Sequence, residues 1–157
     1  MAEANVSLLT QAFNSNVAMG ERATQADFEM LIEGMEQFAP LIRTAQLPEI
    51  SRGEPLEDIG AHGLTYHQYG PIKRNGEITA GIVELRDGRV EDKLWELINS
   101  RTYVKVRLIR KGEGYEEKGF EMLHCILKAD AGDLDTGGAG TAALRSIVIT
   151  YSWCEKV

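Results

Sequence analysis

Apolar and polar residues alternate along much of this chain, in runs short enough for strands. In Phe28–Glu33, Phe28, Met30 and Ile32 take every second place against Glu29, Leu31 and Glu33, the period of a half-buried strand. Gly34–Gln37 reads as a turn and Phe38–Ala45 as the returning strand of a first hairpin. Pro40 falls early in that run, where an edge tolerates a missing donor. Leu64–Tyr69 and Glu77–Leu85 form a second predicted pair around "GPIKRNG", whose Asn75–Gly76 step is a strong hairpin signal. Thr102–Arg110 and Gly119–Leu127 form a third across "KGEGYEEK". Here Val104, Val106 and Leu108 face one way and Lys105 and Arg107 the other. Leu144–Cys154 closes the chain as one strand, with Ile147, Ile149, Tyr151 and Trp153 on a common face.

The period changes in "RDGRVEDKLWELINSR". Val90, Leu94, Leu97, Ile98 and Arg101 recur at helical spacing, which predicts an amphipathic helix over about 90–101. Glu91 and Asp92 in its first turn and Arg101 at its end suit the helix dipole. Val6, Leu9 and Phe13 predict a shorter helix within Asn5–Phe13 that needs docking to persist, followed by a mobile polar connection to Asp27. Between the first two strand pairs lies "QLPEISRGEPLEDIGAHG", eighteen residues punctuated by proline and glycine. A connection that long inside a small domain is usually functional or makes contacts outside the domain. The expectation is a single domain over 1–157, with 1–27 an N-terminal helix and mobile segment and 28–157 the β-structure. Its class is mainly β (α+β), an antiparallel barrel or sandwich with one amphipathic α-helix.

Composition narrows the function more than the fold. At 157 residues, 43% hydrophobic and 26% charged, the chain can bury a core and is no disordered tract. No apolar run approaches membrane-spanning length. "MAEANVSLLTQAF" lacks the basic and apolar regions of a signal peptide, so the expectation is synthesis in the cytoplasm without secretory export. With 24 acidic against 17 basic side chains the net charge is −7, which opposes wrapping nucleic acid through phosphate contacts.

Candidate chemistry is sparse. "DAGDLDTGGAG", Asp130–Gly140, has neither the alternating ligands and closing glutamate of a calcium loop nor the lysine of a phosphate loop. It reads as a flexible connection. His62 and His67 are five apart and His124 adjoins Cys125, spacings that match no metal-ligand motif, and no nucleophile elbow occurs. No cofactor is called for. Cys125 and Cys154 fall in strands that can neighbour each other, either as two buried thiols or as a disulfide within or between subunits.

From "IRTAQLPEIS" through "KLWELI" the chain resembles the tail tube proteins of contractile-tailed bacteriophages. The likeness lies in a strand ending Thr44-Ala45-Gln46-Leu47-Pro48, a long charged connection, and a strand with Gly70 and Lys73 in its turn. It continues in a strand from Glu77 and an acidic loop into a helix containing Trp95. The final "LRSIVITYSW", behind the step Gly132-Asp133-Leu134, is similar to the last strand of that family, and the match covers about residues 28–157. The cysteine pair and the glycine-rich last loop depart from the family pattern.

The resemblance implies a major tail tube subunit of the virion, assembled in the bacterial host cytoplasm, with no catalysis. Six copies close a ring, rings stack into a tube inside a contractile sheath, and phage DNA passes through without specific binding. Its partners are further copies of itself, the sheath, and the baseplate and tail terminator proteins. Leu47, Pro48, Ile50, Pro55, Leu56, Asp133, Leu134 and Asp135 are the expected inter-subunit contacts. Glu29 and Glu33 are candidate lumen charges, with Lys105 and Arg107 as the alternative lining. A tube protein of a type VI secretion or phage-like injection system, or a baseplate tube initiator, shares these features. From other classes, a small β-barrel ligand-binding protein and an enzyme using His62, His67 or the aspartate loop are the rivals.

Overall fold

Two helices and nine strands make up the computed structural model, which describes residues 2–157. The order is α1 (Ala2–Met19), β1 (Glu29–Ile32), a 3-10 helix (Glu36–Leu41), β2 (Ile42–Ala45), β3 (Leu56–Ile59) and β4 (Thr65–Gln68). It continues with β5 (Gly76–Val83), α2 (Arg89–Asn99), β6 (Val104–Ile109), β7 (Gly119–Ala129), β8 (Leu144–Tyr151) and β9 (Trp153–Lys156). All the named pairings are antiparallel. One hydrogen-bonded path runs β1-β6-β7-β8-β5-β2 with β9 added on β7, and β3–β4 is a separate hairpin.

The path bends into a sandwich because β7 serves two layers. Its first half pairs β6 and β9, with Val104 opposite Cys125 and Met122 opposite Cys154. Its second half pairs β8, with Leu127 opposite Ile149. At the corner His124 takes a left-handed φ of 56°. Ser152 N–H donates to Leu123 O, and its hydroxyl to His124 O, each at 3.3 Å. Such an irregularity is how one strand passes between crossing sheets. Between the layers Met30, Ile32, Val104, Val106, Met122, Ile78, Ile147 and Ile149 are sealed from solvent. Val90, Leu94 and Leu97 of α2 and Phe38 of the 3-10 helix join the same core.

Glu84 starts α2. Its carboxylate accepts the N–H of Leu85 (2.8 Å) and those of Val90 (3.2 Å) and Glu91 (2.8 Å), the latter two being donors that a helix start leaves free. Glu91 instead turns to Arg145, whose guanidinium lies 3.0 Å away.

The α+β, mainly antiparallel class is as read from the periodicity, and the barrel-or-sandwich alternative resolves to an open sandwich, since β1 and β2 do not meet. The third strand pair, β6–β7, is also as expected. Four local expectations are corrected. Phe28–Glu33 and Phe38–Ala45 do not form a hairpin. β1 pairs β6 and β2 pairs β5, because Met35 and Phe38 turn into the core and carry the chain across the open side. Leu64–Tyr69 does not pair with Glu77–Leu85; β4 returns on β3, inside what reads as a loop. Gly76 is therefore no turn residue. It opens β5 against the Tyr151 ring, where a Cβ would come within 2.5 Å of the hydroxyl. The last strand breaks at Ser152, so Trp153 leaves the face of Ile147, Ile149 and Tyr151 and is half-exposed. Arg101 lies beyond the end of α2, at φ 55°.

Candidate assembly surfaces

The hydrogen-bonded path ends at β1 and at β2, and off it β9, which pairs only β7 among the described residues, leaves a further open edge. β1 pairs only β6 and β2 only β5 among the described residues, so each presents unpaired backbone groups on its outer side. Their side chains differ. β1 carries Glu29, held by Lys111 Nζ at 2.9 Å, whereas β2 carries exposed Arg43 and Thr44 and a register shift between Ile42 and Thr44. The Glu29 carboxylate also holds the Lys111 ammonium above the usual lysine range. Beyond β1, Glu33 is exposed, and among the described residues no cation lies within ion-pair distance of it. Lys105 and Arg107 stand on the exposed side of β6, Lys105 paired to Glu121 across the strands at 3.1 Å.

A second surface is the β3–β4 hairpin. All eight of its strand residues are exposed. The pairing sets Leu56, Asp58, Tyr66 and Gln68 on one face and Glu57, Ile59, Thr65 and His67 on the other. His67 Nδ1 lies 3.7 Å from Glu57 Oε1, and His62 occupies the tip at φ 61°. The hairpin is moored at its base. Arg52 bridges Ile72, Gly53 N–H donates to Pro71 O (2.6 Å), and Arg52 Nε donates to Gly70 O (2.8 Å). A two-stranded ribbon with both faces in water is marginal by itself. Apolar Leu56, Ile59, Leu64, Tyr66 and Tyr69 are therefore unsatisfied surface.

The expected contact residues divide between two loops. Leu47 and Ile50 are exposed while Pro48 is buried beside them, and Pro55 and Leu56 lead into the hairpin. Ile50 borders a cleft of about 410 Å³ shared with Lys73, Arg74, Tyr151 and Trp153. Asp133, Leu134 and Asp135 stand elsewhere, on the β7–β8 loop, where Leu134 is 93% exposed. That loop is less loose than its glycines suggest. Asp135 Oδ1 accepts Gly137 N–H (2.9 Å), two turns follow at Gly138 and Thr141, and Arg145 Nε donates to Asp130 O.

The three histidines lie apart: His124 is stacked on Tyr103 with centroids 3.9 Å apart, while His62 and His67 occupy the hairpin. No group of three or more metal-ligating side chains occurs among the described residues. Cys125 and Cys154 are free thiols. Burial pushes the Cys125 thiol up to about 11 and raises Cys154 as well, so both are protonated at neutral pH.

Two features escaped the sequence reading. α1 extends to Met19, well past Phe13, and its described side chains Asn5–Met19 are all exposed. Behind it, Thr24 N–H donates to the Tyr115 hydroxyl (2.8 Å), which donates in turn to Asp27 Oδ2 (2.8 Å). The Thr24 hydroxyl donates to the same carboxylate. This latch joins the segment after α1 to the β6–β7 loop. Only the partners' wide sequence separation hides it.

No protein-family model matches the sequence, and no curated protein sequence matches it. Solved structures do. A chain of the sheath/tube terminator of an extracellular contractile injection system, PVC, superposes with a TM-score of 0.70 at 14% identity, over 87% of this chain and 97% of that one. A chain of the extended PVC sheath–tube complex gives 0.67 at 16% identity, over 91% and 96%. The tube-terminating cap of the anti-feeding prophage gives 0.66 at 12% identity, over 87% and 91%. The fold is thus one found in tube-associated components of contractile injection systems.

Proposed function

We propose that this chain is the major tube subunit of a contractile phage tail. Six copies form a ring, stacked rings form the conduit for the genome, and the sheath, baseplate and terminator are its partners in the virion. The observation that carries the reading is the fold shared over nearly the whole chain with components of contractile sheath–tube assemblies. The molecule suits it physically. Two unlike open edges, β1 and β2, allow head-to-tail contacts that close a ring, and pairing them would remove the exposed strand edges. The exposed hairpin supplies a different patch for stacking. The acidic balance of the chain suits a conduit to which DNA does not adhere.

A second reading has its own support: likeness to a sheath/tube terminator and a tube-terminating cap favours an end piece of the same tube. Negative-stain microscopy of the purified protein separates the two. A major subunit gives six-fold rings that stack into tubes of variable length, whereas an end piece gives single rings. Monodisperse monomers under all assembly conditions would refute both.

A further inference from the structure

We propose that α1 is an arm that docks on a second copy of this chain. The inference deepens the ring reading and is tested so that either can fail alone.

α1 is closed off at its C-terminal end but has nothing to rest on. Gly20 N–H donates to Val17 O, and Arg22 closes the C-terminal end with bonds to Gly20 O (2.9 Å) and Asn16 Oδ1 (2.8 Å). The Thr24–Tyr115–Asp27 latch then fixes the departing chain to the body. Yet Val6, Leu9, Phe13 and Val17, a stripe spaced 3-4-4, are all more than 60% exposed. The helix also contains Asn5, Ser7, Asn14, Ser15 and Asn16, poor helix formers. A helix of this make-up is marginal in water without a packing surface.

Charge and position choose the occupant. The seventeen residues Ala4–Gly20 contain no ionisable side chain, in a chain that is 26% charged. A partner recognised by charge finds nothing there to read. Two copies of a chain with net charge −7 repel, and this neutral segment is where they can touch without that cost. Position agrees, because the latch holds the arm just before β1, an open edge of the sandwich. A copy paired along β1 comes to lie beside the root of the arm. The stripe then packs on apolar surface of that neighbour, and the helix gains the support its own body does not give.

The test uses the full chain with the double substitution Leu9→Asp/Phe13→Asp, and Leu9→Ala/Phe13→Ala as a variant without new charge. Thermal melts confirm that the sandwich is intact, and sedimentation velocity over a concentration series measures self-association. The expected result is association weakened at least about tenfold by the aspartates and less by the alanines. Unchanged association in both variants overturns the arm, and six-fold rings formed equally by both leave the ring reading standing. Arm-dependent dimers that never form rings support the arm and overturn the ring. Concentration-independent exchange protection of the Leu9 and Phe13 amides means that α1 folds on its own body, and the proposal fails.

Discussion

Asp27 shows how much a single surface carboxylate can organise. It accepts from the Thr24 and Tyr115 hydroxyls, and these bonds, Thr24 first, hold its carboxyl below the usual aspartate range. A depressed carboxyl stabilises the folded arrangement fully above the unfolded pKa and loses that contribution as pH falls through the folded one. The latch should therefore be closed at neutral pH and open progressively on acidification below the ordinary aspartate range. Amide exchange at Thr24 reads this directly, and Tyr115→Phe should raise the exchange rate while removing much of its pH dependence. An exchange rate equal in both proteins across that range would show that the latch holds nothing. Glu84 has a comparable role at α2, yet its spacing from Val90 is six residues, outside the usual capping patterns. Sequence inspection credits Glu91 and Asp92 with that work because they stand where a first-turn acid belongs.

At the scale of elements, the hairpin and the sandwich are separable. Gly70 lies at the hairpin base, where a Cβ would run into the backbone carbonyls of Gly53 and Glu54. Gly70→Ala should displace β3–β4 while sparing the core, none of which comes from the hairpin. The expected outcome is a main melting transition near that of the native chain, loss of exchange protection in Leu56–Gln68, and loss of tubes. Unaltered hairpin protection would mean that the base yields without consequence. The same separation explains what local pattern reveals. α2, β6 and β7 are legible because one face of each meets the core, so periodicity and burial coincide. β3 is invisible because every residue in it is exposed, and its sequence bears no burial signature. β1 is legible as a strand, but of the run Phe38–Ala45 only Ile42–Ala45 is β2, the part through Pro40 and Leu41 being 3-10 helix. Neither strand is legible as a partner, since pairing at long range leaves no mark in either segment. The candidate surfaces follow the same rule. Ile50 and Leu134 are exposed as their loops suggest, while Pro48 is buried by a neighbourhood that the sequence does not place beside it.

At the scale of the molecule, the two ends of the strand path are the decisive feature. They belong to one chain but are not alike, Glu29 with Lys111 at one and Arg43 with a shifted register at the other. Assembly through such ends has a direction. In the proposed ring, a copy spoiled at β2 would still join through β1 and then offer the next copy nothing, acting as a poison and not merely as an absentee. Blocking substitutions at β2 should therefore be dominant. When spoiled and native subunits are mixed, the number of complete rings seen by microscopy should fall far more steeply than the spoiled fraction rises. A loss merely proportional to dilution would show that subunits join elsewhere. For the proposed tube, a minority of damaged subunits would then cost most of the assemblies.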